Sequence, residues 1–117
     1  MSDDFLRSWE GLVLTEMLAA DFPGASELRT QARTARVHVT RADVPRVVFE
    51  VDPQATPAEV RYRIPVEAAI GEEGDACVHC LLHVVRGRLD ELQFYREDGQ
   101  PISNRSSLAD TRIIVPP

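Results

Sequence analysis

The sequence predicts an α+β fold in which two N-terminal helices pack on one face of a four- or five-stranded antiparallel meander sheet. Two observations lead to this prediction. The apolar residues change from a helical period to a period of two near Thr34, and the later segments are joined by short turns. Because 117 residues suit one core, we expect one domain with a helical part at 3–33, a sheet at 34–99 and an irregular tail at 100–117.

The first predicted helix begins after Ser2, whose hydroxyl can cap free N–H groups, and Asp3 and Asp4 favour the positive end of the helix dipole. Its apolar stripe consists of Phe5, Leu6, Trp9, Leu12, Val13, Met17 and Leu18. We expect this helix to end near Asp21. A second, shorter helix then begins near Ser26 and turns Leu28 inward.

Three strands are predicted between residues 34 and 67. The first carries Val37 and Val39 on one side, and the second runs from Arg46 to Val51. The third, Val60–Glu67, has the clearest alternation in the chain and places Arg61 and Arg63 opposite its apolar side.

The longest apolar run, 76–99, is predicted to form a β-hairpin. A two-residue type I′ turn would put Arg86 at positive φ, so we favour a type I turn followed by a bulge at Gly87, with Cys80 opposite Leu92. The core side then collects Val78, Cys80, Leu82, Val84, Leu92 and Phe94. The outer side collects Cys77, His79, Leu81, His83, Leu89, Glu91, Gln93 and Tyr95.

Beyond the hairpin, Asp98 and Gly99 form a turn, Pro101–Asp110 is loop-like, and Thr111–Val115 suits a short edge strand.

The composition excludes several classes of function. Thirteen arginines, no lysine and 19 acidic residues give a net charge of −6, which is opposite to the charge that nucleic-acid binding requires. The lack of lysine is typical of a GC-rich bacterial source. No segment suits a leader peptide or a membrane span, so we expect a cytoplasmic protein without membrane partners. Two cysteines three residues apart do not indicate a disulfide framework.

The stretch His83–Ile102 resembles a group of small actinobacterial domains of uncharacterised activity. The resemblance rests on Gly87-Arg88-Leu89, Glu91-Leu92, Tyr95-Arg96 and Asp98-Gly99, with Ile64-Pro65-Val66-Glu67 upstream. It covers about the last half of the chain and supports the hairpin fold. Similar small proteins accompany toxin systems, which implies an immunity or accessory role.

Both cysteines and two of the three histidines lie within one stretch of seven residues, Cys77-Val78-His79-Cys80-Leu81-Leu82-His83. A redox pair would open a helix, whereas a strand points Cys77 and Cys80 to opposite faces. A zinc site would use Cys77, His79 and His83, but the sequence shows no second cluster to complete four ligands. We therefore expect neither a metal nor another cofactor.

The outer sheet face is the candidate binding surface. A solvated face has the same alternation, but arginine and tyrosine are favoured at protein interfaces. We expect it to bind another protein through Arg61, Arg63, His79, Leu81, His83, Glu91 and Tyr95, with homodimerisation through this face or an edge strand as a variant. The alternative is a small ligand-binding protein or enzyme using His79, His83 and Glu91. The sequence has no common catalytic motif, which favours binding over catalysis.

Overall fold

The computed structural model describes residues 1–40, 45–71, 76–102 and 108–117. It confirms the α+β class, with helices packed against an open antiparallel sheet, and it has six strands rather than four or five. The helices are α1 (Asp3–Arg7), α2 (Trp9–Leu18) and α3 (Ala25–Thr34). The strands are β1 (Arg36–Thr40), β2 (Arg46–Glu50), β3 (Glu67–Gly71), β4 (Cys77–Val85), β5 (Arg88–Arg96) and β6 (Thr111–Ile114).

The strand order in the sheet is β1-β2-β5-β4-β3-β6, and all neighbours are antiparallel. The predicted simple meander is therefore wrong, because β2 pairs with β5 and β3 pairs with β6. The β4–β5 hairpin occupies the centre of the sheet. The sequence also predicts connecting turns at 43–45 and 71–75, and these lie largely outside the described residues.

The predicted first helix is two helices. Ser8 has extended backbone angles, and its Oγ accepts a hydrogen bond from the N–H of Gly11 at 3.1 Å, so it ends α1 and caps α2. The change of direction leaves Leu6 and Leu12 exposed, contrary to the predicted stripe, whereas Leu14 is buried.

The clearest alternation in the sequence, at 60–67, is not a strand before Glu67. This segment makes only isolated hydrogen bonds to β4, from the N–H of Val84 to the carbonyl of Arg63 and from the N–H of Leu82 to the carbonyl of Val66. Pro65 lies between those two carbonyls and has no N–H to donate, so a regular ladder cannot form there.

The turn of the central hairpin is the one that the sequence analysis rejected. Arg86 and Gly87 have φ of 51° and 75°, and Val85 lies opposite Arg88, as in a type I′ turn. A bulge then shifts the register between His83 and Val84, so that Cys80 lies opposite Phe94 rather than Leu92.

The bulge explains why most of the predicted faces are right although the predicted partners are wrong. Beyond it, Leu92 and Phe94 still point into the core, and Glu91 and Tyr95 point away from it. Between the turn and the bulge, the side chains of β5 point to the opposite face from the predicted one. Leu89 is therefore buried in the core instead of lying on the outer side.

The core lies between the helices and one face of the sheet. Trp9 of α2 packs on Phe94 of β5 with ring centroids 5.1 Å apart, and the buried side chains of β4 face the same way. Burying these apolar groups is the main stabilising contribution to such a layer arrangement. The predicted edge strand in the C-terminal tail is present as β6, which pairs with β3 at the opposite edge of the sheet from β1.

Candidate functional site on the open sheet face

The side of the sheet opposite the helices is here called the open face. In β4 the core-directed residues alternate with half-buried ones, so the side chains on the open face are Cys77, His79, Leu81 and His83. All three histidines lie on this face, because His38 is aligned across the sheet with residues of β2, β5 and β4 that also face this way.

One row of side chains crosses four strands. His38 lies opposite Val48, Val48 opposite Glu91, and Glu91 opposite His83. The carboxylate Oε1 of Glu91 accepts a hydrogen bond from Nη2 of Arg46 at 2.8 Å. This pair ties β2 to β5 at the centre of the open face.

The charges around Glu91 favour its ionised form. The hydrogen bond from Arg46 is the main reason why the pKa of Glu91 lies below its ordinary range, and partial burial opposes this shift. Electrostatic interactions with Arg46, His83 and Arg63 lower the pKa of Glu91 further. Glu91 is therefore a carboxylate in an ion pair and a weak general base.

A second group lies where β4 begins and β5 ends. The ring of His79 stacks on Tyr95 with centroids 4.9 Å apart and planes inclined by 18°. Its Nε2 lies 2.6 Å from Oε1 of Glu97, and the thiol of Cys77 donates to the carbonyl of Ile70. A ligand-forming atom of Cys77, His79 and Glu97 lies within 4.8 Å of each of the others.

The predicted site residues divide into two groups and an outlier. Arg63 belongs to the first group, with Glu91 and His83, because its charge lowers the pKa of Glu91. It lies in the irregular segment before β3 and not in a strand. His79 and Tyr95 form the second group, and Leu81 lies half-buried in β4. Arg61 is exposed, and it makes no hydrogen bond or ion pair with the described residues.

Within the described ranges, His79 and His83 have different hydrogen-bond partners. Nε2 of His83 lies 2.8 Å from Oε1 of Gln93, while His79 pairs with Glu97. The structure therefore does not bring His79, His83 and Glu91 together as one catalytic group.

The two cysteines are separated as predicted. Cys77 is half-buried on the open face, whereas Cys80 is fully buried in the core and burial raises the pKa of its thiol. Cys80 therefore serves as a small core residue and is a poor nucleophile.

Sequence reasoning missed Arg46, Glu97 and Gln31. Arg46 and Glu97 lie at strand ends, and only the bulge-shifted register reveals what they face. Gln31 of α3 is buried and forms hydrogen bonds with the backbone of Gly87 and Leu89 at the hairpin turn. A polar residue on the apolar side of a helix was the only sequence signal for it.

Several grooves are present in the described part of the molecule, and a small one of about 200 Å³ lies on the open face between Ile64, Glu67 and Ile114. Two wider grooves, of about 640 and 540 Å³, lie beside the hairpin turn and beside α3. Neither groove is lined by His79, His83, Glu91 or Tyr95. This geometry resembles a contact surface more than an enclosed pocket.

None of the helices in the described ranges has the length and apolarity that spanning a bilayer requires. Comparison of the chain with protein-family models, curated protein sequences and solved structures finds no match.

Proposed function

We propose that this protein binds another folded protein through the open face, and that the partner presents an acidic surface there. The observation that carries this proposal is an open sheet face on which an exposed tyrosine lies among exposed arginines. The proposed role is that of an accessory or immunity factor, which follows from the resemblance of the hairpin sequence.

The exposed arginines of the open face support an acidic partner. The whole chain carries −6, whereas the charged side chains of the open face among the described residues are nearly balanced: Arg36, Arg46, Arg63 and Arg112 lie there with Glu50, Glu67, Glu91, Glu97 and Asp110. The open face is therefore nearly neutral, unlike the chain as a whole, and its exposed arginines can pair with carboxylates of a partner.

The apolar component of the surface comes from Tyr95, which is 40% exposed, together with the half-buried Leu81 and Val48. Tyrosine supplies a large rigid contact area, and the planar guanidinium of arginine can pair with a carboxylate through two hydrogen bonds. This mixture suits a protein interface of moderate polarity.

Acid–base catalysis by His79, His83 and Glu91 has less support. The histidines are bonded to different partners, and the low pKa of Glu91 makes it a weak base. The free thiols of Cys77 and Cys80 suit a reducing compartment, so the proposal keeps the cytoplasmic location.

Capture from a nuclease-treated lysate of the source organism tests the proposal. The wild type is compared with Arg63→Ala/Tyr95→Ala, and with Arg7→Ala/Leu12→Ala as a control that removes one exposed arginine and one exposed apolar group from the helical side. We expect wild type and control to retain the same acidic protein and the open-face variant to lose it. The proposal fails if no protein is retained, or if all three retain it equally.

A further inference from the structure

Cys77 and His79 lie two residues apart in β4, so both side chains point to the open face. Glu97 immediately follows β5, and its N–H donates to the carbonyl of Cys77 at 2.9 Å. The hairpin backbone thus brings a thiol, an imidazole and a carboxylate to one corner of the sheet.

From this arrangement we propose that Cys77, His79 and Glu97 bind one divalent transition-metal ion, with zinc preferred and water as the fourth ligand. The ligand types are those that zinc uses in proteins, and a thiolate disfavours magnesium and calcium. This site is independent of protein binding by the open face and goes beyond it.

The distances between the three candidate ligand atoms are close to those of a tetrahedral zinc site. The three candidate ligand atoms lie within 4.8 Å of one another, and Nε2 of His79 is already 2.6 Å from Oε1 of Glu97. Zinc–ligand bonds of about 2.0–2.3 Å at tetrahedral angles separate ligand atoms by ~3.3–3.6 Å. A rotation of the exposed Glu97 side chain is enough to open the histidine–carboxylate contact and admit the ion.

The surroundings of the three side chains favour binding of a metal ion. Stacking on Tyr95 holds the imidazole of His79, whose side chain is only 17% exposed, and the thiol of Cys77 is held at the carbonyl of Ile70. His79 is therefore oriented before the ion arrives, which lowers the cost of binding. The thiol of Cys77 gives up its hydrogen bond to Ile70 and releases its proton to solvent when the ion binds. Glu97 is 53% exposed, so the ion has a route from solvent and room for a water ligand.

This assignment differs from a site built on both histidines. The imidazole Nε2 of His83 is occupied by Gln93 at 2.8 Å, and His83 lies two same-face positions from His79 and three from Cys77, with Leu81 between the two histidines. Glu97 takes the third position because the bulge in β5 carries the end of that strand beside Cys77.

The test uses untagged, chelator-treated full-length protein titrated with Zn²⁺ by calorimetry and with Co²⁺ by absorption spectroscopy. We expect one ion per chain, a Co²⁺ spectrum of tetrahedral type and a thiolate charge-transfer band. Cys77→Ser, His79→Gln and Glu97→Gln should each weaken Zn²⁺ binding at least about tenfold, and Cys77→Ser should remove the charge-transfer band.

Two matched variants serve as controls. His83→Gln removes the other histidine of β4, and His38→Gln removes the histidine that lies 3.5 Å from Glu50; both should bind Zn²⁺ like the wild type. Far-UV circular dichroism checks that each variant is folded. The assignment is overturned if the wild type binds no stoichiometric Zn²⁺, if the Cys77 and His79 variants bind as the wild type does, or if His83→Gln weakens binding as strongly. Since no partner protein is present, none of these results bears on protein binding by the open face.

Discussion

The side-chain oxygen of Gln31 accepts a hydrogen bond from the N–H of Leu89 at 3.1 Å, and this contact joins α3 to the bulged end of β5. The amide nitrogen of Gln31 donates to the carbonyls of Gly87 and Thr56 at 2.9 and 3.0 Å. One buried side chain therefore supplies hydrogen bonds to backbone groups of the hairpin turn and of the loop at Thr56, which are not paired with a neighbouring strand.

Replacing Gln31 with leucine should lower the free energy of unfolding by about 2–4 kcal/mol, since the N–H of Leu89 and the carbonyl of Thr56 lose a buried partner. Gly87 keeps the N–H of Ala58 at 2.7 Å. Urea denaturation measures the effect. The exposed Gln54→Leu is the control and should stay within about 0.5 kcal/mol of the wild type. Equal stability of the two variants would show that Gln31 does not hold the hairpin.

Gly87 and Gly99 offer a matched pair, because both have positive φ, 75° and 74°. A Cβ on Gly87 would lie 2.7 Å from Cβ of Pro57 and 2.8 Å from the carbonyl oxygen of Ala58, whereas a Cβ on Gly99 meets nothing within 4 Å. Gly99→Ala should cost only the left-handed backbone penalty of about 1–2 kcal/mol. Gly87→Ala should cost about 1–3 kcal/mol more through overpacking. Thermal unfolding that ranks the two variants equally would contradict this close approach.

Arg86 is the other strained position of the hairpin turn, with φ of 51°. Asparagine tolerates this region, and Asn-Gly is the preferred type I′ pair, so Arg86→Asn should stabilise the fold by about 0.5–1 kcal/mol. Arg86→Ala keeps the strain and should give no gain. A chemical denaturation series distinguishes these outcomes, and a destabilised Arg86→Asn would contradict the turn geometry.

The ion pair between Arg46 and Glu91 should make the free energy of unfolding depend on pH in the acidic range. Because the pKa of Glu91 is lower in the folded protein than in the unfolded chain, its contribution is present above the unfolded pKa and is lost as the pH falls through the folded pKa. The difference in urea midpoint between wild type and Glu91→Gln should therefore shrink from pH 7 to pH 3. Carboxyl NMR titration should also show that Arg46→Gln raises the pKa of Glu91. A midpoint difference that is independent of pH would refute the linkage.

The fold class followed from local patterns, but the topology did not. Periodicity located β1, β2 and the central hairpin, because those strands have one buried face. The same alternation at 60–67 was misleading, since Pro65 and the isolated bonds to β4 leave that segment outside the ladder. The pairing of β2 with β5 and of β3 with β6 joins segments far apart in sequence, and periodicity carries no information about such pairings.

The contents of the candidate site were only partly predictable. His79, His83, Glu91 and Tyr95 could be placed on one face because the period of a strand is two, whatever the exact register. Which of them touch depends on the bulge, and a bulge of one residue leaves no clear mark on the sequence. Glu97 was missed for this reason, although it contacts His79 more closely than any residue that was predicted to do so.

Site-specific photocrosslinking in cells of the source organism tests the central claim, that the open face is the surface that binds a partner, most directly. A photoreactive phenylalanine analogue replaces Tyr95, which is 40% exposed on the open face, or Leu12, which is 46% exposed on the helical side. The proposal predicts a discrete adduct with an acidic protein from position 95 and none from position 12. An adduct from position 12 alone, or no adduct from position 95, would contradict it.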